Sequence, residues 1–229
     1  MVIKDSVILI TSSGSQMGRA ISWHFAALGA KLILIDSNSK QLLSTHQTCE
    51  HLGGKVSSYL LDDGTDHNIR QLFSFIDEQH VKGIDVMINT MVEDETPSLL
   101  SSNSAELFSS QLTDLASKLF CIGKRAAQNM RKHNKQGVII NLVTNHELNS
   151  ESDSLSNSRA VLSGITQSWA RELEQFNIRV GGVTPTFHCI DQLPSTNALI
   201  KLQTELVRNT EYIVQNDSFN GRMLEAECH

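Results

Sequence analysis

A single α/β domain on a doubly wound parallel sheet of about seven strands is the fold this sequence predicts, and three observations carry the prediction. Short runs rich in Val and Ile recur at Val7–Ile10, Leu32–Ile35, Val86–Ile88, Val138–Val143 and Ile178–Val183. With so little polar alternation, such runs suit strands covered on both faces. Between them, Met17–Leu28, Ile69–Gln79, Ala105–Lys132 and Ala160–Gln175 carry apolar residues at helical spacing. Strands alternating with helices imply right-handed crossovers within one parallel sheet. Finally, 229 residues with only three prolines, Pro97, Pro185 and Pro194, contain no Pro- or Gly-rich linker. Residues 1–229 therefore read as one domain.

The first strand, Val7–Ile10, runs into TSSGSQMGRAIS and a helix. A strand-to-helix turn of this kind presents backbone N–H groups and a helix dipole to an anion such as a pyrophosphate. The second strand, KLILI, ends in Asp36, whose carboxylate can accept hydrogen bonds from a ribose. A third strand region contains Tyr59 and is followed by LLDDGTD, with Asp63, while the fourth reads IDVMINTMV, with Asn89. The fifth, GVIINLVTNHE, puts Thr144 at the strand end and His146 on the exit from it, and histidine is the usual general acid near neutral pH. His188 follows Pro185 after the sixth strand, and SFNGRML supplies the last strand. Two Ser-rich segments, Ser98–Ser110 and Asn149–Ser158, interrupt the alternation. The second has a single apolar residue and is expected to be irregular and mobile.

Composition narrows the partners. The chain is 40% hydrophobic and 19% charged with a net charge of −6 and no block of like charge, a surface that repels nucleic-acid phosphates. No run approaches the ~18 apolar residues needed to span a bilayer, and MVIKDSVILIT lacks the pattern of a secretion leader. A cytoplasmic protein with no membrane partner is expected. Cys49, Cys121, Cys189 and Cys228 are far apart and form no C-x-x-C pair, which reads as reduced thiols. Nor does a local ligand spacing support a metal site from His146, Glu147 and His188, so none is expected.

In register, these segments resemble the short-chain dehydrogenase/reductase family, with its Rossmann-like domain and its turn T-G-x-x-x-G-x-G. On that pattern Thr11 matches, Ser12 and Gln16 replace the first two glycines, and Gly18 is the third. The resemblance places Thr11, Ser13, Gln16, Met17, Asp36, Asp63 and Asn89 around a dinucleotide. Asp36 would repel a 2′-phosphate, no arginine follows it, and Ser15 stands where phosphate-preferring members often carry a base, so the implied cofactor is NAD(H).

The catalytic half of the pattern is altered. The family's Y-x-x-S-K-A-A-L-x-G-L-T aligns on Leu155–Thr166 without gaps, which puts Leu155 at the Tyr position and Arg159 at the Lys position. The polarising Ser becomes Thr144. The relay Asn should fall near Asp114 or Leu115, and neither is Asn. Arginine donates hydrogen bonds, but its fixed charge makes it a poor member of a proton relay. The favoured reading is a divergent family member with lost or much reduced oxidoreductase activity, serving as a ligand- or partner-binding module. The alternative is an active NAD(H)-dependent oxidoreductase on a carbonyl or alcohol, using Thr144 and Arg159 with His146 or water as the acid. The loops Glu93–Ser104 and Phe187–Leu199 carry no substrate motif. Resemblance also implies a homodimer or homotetramer paired through Ala105–Lys132 and Ala160–Gln175.

Overall fold

The computed structural model describes residues 1–62, 64–93, 104–145, 154–187 and 195–228. Among these, strands β1 (Val7–Ile10), β2 (Lys31–Asp36), β3 (Lys55–Leu60), β4 (Val86–Glu93), β5 (Val138–Asn145), β6 (Arg179–Phe187) and β7 (Arg222–Cys228) form one sheet in the order β3-β2-β1-β4-β5-β6-β7. Every neighbouring pair is parallel. The helices are α1 (Gln16–Ala27), α2 (Ser39–His51), α3 (Asp66–Gln79), α4 (Ser104–Lys132), α5 (Ser154–Leu173) and α6 (Thr196–Gln215), with a 3₁₀ turn at Glu174–Phe176. This is the doubly wound sheet that the sequence predicts.

The strands are apolar on both sides because both sides are covered. Ile8, Ile10, Leu32, Leu34, Ile88 and Ile140 pack with Met17, Ile21 and Phe25 of α1 and Leu202, Leu206 and Ile213 of α6. On the opposite face, Leu9, Ile33, Met87 and Ile139 meet Ile69, Leu72 and Ile76 of α3 and Ile122, Ala126 and Met130 of α4. Alternate residues of one strand thus serve two cores. The strand order reverses between β1 and β4, and ligands of such sheets settle outside the carboxyl ends of the strands at that point.

Three differences from the sequence reading stand out. Helix α2, which the apolar spacing did not single out, buries only Leu42, Thr45 and Cys49, and its start is fixed by Asn38, whose side chain accepts from the N–H groups of Lys40 and Gln41 at 3.1 and 3.2 Å. Helix α6 is amphipathic with Ala198, Leu202, Leu206, Thr210 and Ile213 buried. It extends through Tyr212 to Gln215, so the closing strand begins only at Arg222. The Ser-rich segment expected to be irregular is helical from Ser154 onward, where it opens α5, while residues 149–153 lie outside the described residues. No described helix is long and apolar enough to cross a membrane.

Candidate functional site

The turn after β1 is tied down at every residue. Thr11 is buried, its N–H donates to the Ile88 carbonyl at 3.1 Å, and its hydroxyl donates to Asn89 Oδ1 at 3.0 Å, which locks the turn onto β4. Ser12 follows at φ +46°, the left-handed conformation for which a glycine is the usual choice. Ser13 is fully buried and gives both its N–H (2.9 Å) and its hydroxyl (3.1 Å) to the carbonyl of Ile35 on β2. Ser15 caps α1 by accepting the Gly18 N–H at 3.0 Å. Gln16 is exposed, and its carbonyl accepts from Gln203 of α6 at 3.3 Å. The Met17 side chain lies in the core, so what Gln16 and Met17 offer a ligand in common is the pair of N–H groups that begin α1 without an acceptor in the helix.

Asp36 closes the other side. Its Oδ2 accepts the N–H of Gly14 and its Oδ1 that of Asn38, both at 2.8 Å. Gly14 serves this contact: a Cβ there would come within 2.6 Å of the Gln41 Cβ and 3.0 Å of Asp36 Oδ2. Close packing against α2 and Asp36 is thus what Gly14 supplies. A carboxylate offers about four acceptor positions, so about two remain open beside these bonds.

A polar seam continues across the carboxyl ends of the central strands. Asn89 and Asn141 are register partners on β4 and β5 and are both buried, and Asn141 Nδ2 donates to Thr166 of α5 at 3.2 Å. Thr144, at 1% exposure, sits near the end of β5. On α5, Arg159 is ion-paired through Nη2 with Glu225 Oε1 of β7, and Glu225 Oε2 accepts from the hydroxyl of Thr186 on β6 at 3.3 Å. This three-element cluster was not legible in the sequence.

Neither of the chain's two tyrosines reaches this edge. Tyr59 belongs to β3 and packs on Phe75 at 5.3 Å, four strand spacings from β5, about 19 Å. Tyr212 lies near the carboxyl end of α6, 50% exposed and against Phe219. A phenolic acid is therefore absent from the end of β5. Thiol chemistry is no substitute at Cys49, which burial pushes up to about 12. Among the described residues no group of three or more His, Cys, Asp or Glu is placed to hold a metal ion. Asp63, His146, Glu147 and His188 lie outside the described residues.

The comparisons agree with this architecture. A family model described as short chain dehydrogenase matches residues 6–193. The chain is similar to a 3-oxoacyl-(acyl-carrier-protein) reductase of Thermotoga maritima, 29% identical over 191 residues that cover 82% of this chain and 76% of that protein. It is similar also to carbonyl reductase family member 4 of Danio rerio, 30% identical over 185 residues, covering 79% and 75%. In structure it resembles NAD+-bound xylitol dehydrogenase, with a TM-score of 0.80 at 18% identity over 98% of each chain. A short chain dehydrogenase from Burkholderia cenocepacia in complex with NADP superposes with a TM-score of 0.77 at 19% identity, covering 99% and 98%. By fold, by the residues matched and by these relatives, the chain belongs to the short-chain dehydrogenase/reductase family.

Proposed function

We propose that this protein binds NAD(H) through its amino-terminal half and acts as a dinucleotide-responsive binding module with little or no hydride-transfer activity. The observation that carries the reading is the state of Arg159: the basic residue at the family's Lys position is paired with Glu225, and both tyrosines are placed elsewhere. A bound nicotinamide dinucleotide would supply or take up hydride. The chain's own residues would have to hold and move the accompanying proton. Thr144 keeps a hydroxyl able to donate to a carbonyl oxygen, but a guanidinium carries a fixed charge and makes a poor proton donor.

The adenosine half fits the residues present. Gly18 leaves the turn the space that a Cβ would fill, α1 presents its first N–H groups, and Asp36 keeps acceptor capacity on a preset carboxylate. That carboxylate also favours NAD(H) over NADP(H), since a 2′-phosphate would face its charge. A second reading keeps catalysis, with Thr144 as polarising group and His146 as acid, and it is favoured by the Thr144 hydroxyl at the end of β5. Pairing of two copies through α4 and α5 is part of the proposal, supported by the exposed Leu107, Phe108 and Phe120 on α4.

Isothermal titration with NADH and NADPH tests the reading. Binding of NADH, with NADPH weaker, is expected. Tighter NADPH binding, or reduction of a carbonyl panel at ordinary family rates, would overturn it.

A further inference from the structure

We propose that Glu225 is a specificity-determining residue: it holds Arg159 Nη2 in an ion pair and so competes with the second ribose of a dinucleotide for the guanidinium. The inference rests on the reading that this crevice binds one. Glu225 is anchored from two sides, by the Arg159 guanidinium on α5 and by the Thr186 hydroxyl on β6. Its register partner is Thr184, and the next residue on the same side of β7, Glu227, is paired with Thr186. Beyond Met223, which packs under α5 near Leu162, this side of the edge strand thus turns from apolar to acidic, and Arg159 is drawn onto it.

The pair is open to competition. The two side chains are 36% and 45% exposed, and exposed ion pairs are held by little net free energy because water and salt screen them. A ribose hydroxyl offered to Arg159 must nevertheless displace a carboxylate, a better acceptor than itself. Removing the charge while keeping the shape, in Glu225→Gln, removes that competitor.

The experiment compares ADP with ADP-ribose, which adds the second ribose and esterifies the terminal phosphate, by calorimetric titration of the full chain and its variants. ADP affinity is expected to be the same in the original protein and in Glu225→Gln, whereas ADP-ribose should bind about fivefold more tightly to the variant. Thr186→Val, which loosens one anchor and keeps the charge, should give a smaller gain of the same sign. Adding Arg159→Met to Glu225→Gln should abolish the gain. An ADP-ribose affinity that does not change, a gain that survives Arg159→Met, or a rise for ADP as large as or larger than that for ADP-ribose, as a general change of field would produce, each overturns the inference and leaves dinucleotide binding standing. Failure of either nucleotide to bind any of these proteins sinks both.

Discussion

Gly18 lies so close to Ser12 that a Cβ on it would fall 2.1 Å from the Ser12 carbonyl oxygen and 2.8 Å from the Ser13 Cα. The obstacle is backbone that is itself bonded to β2 and β4, so it cannot step aside as a flexible side chain would. Of the three glycines in the family's turn, the one retained is the one that lets the first helix pack on its own turn. Gly18→Ala is expected to destabilise the protein by about 3 kcal/mol, the upper range for overpacking, read as a lower urea midpoint at unchanged slope. A midpoint within error of the original would show that the helix can shift at no cost.

Ser12 makes the opposite prediction. Its φ of +46° costs an L-residue roughly 1–2 kcal/mol, partly offset because serine loses less backbone entropy on folding than glycine. Ser12→Gly should therefore stabilise the fold by about 0.5 kcal/mol, seen as a rise in Tm. A fall in Tm would mean that the Ser12 side chain makes a contact that outweighs the strain.

Restoring the proton relay tests the catalytic argument. Leu155→Tyr with Arg159→Lys and Glu225→Leu would place a phenol and an amine at the family's positions and remove the carboxylate that would otherwise hold the amine. A positioned general acid contributes ~10²–10⁴-fold, so NADH-dependent reduction of a ketone panel should rise at least ~10²-fold over the original chain. Ordinary turnover in the original chain, lost in His146→Ala, would instead identify the substitute acid.

The sheet was legible because a strand buried on both faces leaves a continuous apolar run, and β1, β2, β4, β5 and β6 were each found that way. Their continuations past the apolar run were not: Asn145 and Thr184–Phe187 remain in the ladder because pairing with neighbours does not depend on side-chain polarity. Helix α2 escaped notice because it buries three side chains and is set by its cap. The positions of Thr11, Ser13, Asp36 and Asn89 in the fold could be read from local sequence, since each lies within a few residues of a strand end. The Arg159–Glu225 pair could not, because its partners are 66 residues apart on different elements and no periodicity joins them.

The Asp36 carboxylate is held by the N–H groups of Gly14 and Asn38 with no ligand involved. Its rotamer is settled when the chain folds, so the ordering cost of about 0.5–1.5 kcal/mol that a free side chain would add to an encounter has already been met. Whatever keeps this turn folded also keeps the carboxylate in its fixed orientation. Selection for a stable protein is then enough to preserve this carboxylate's geometry over generations, whether or not a ligand makes use of it.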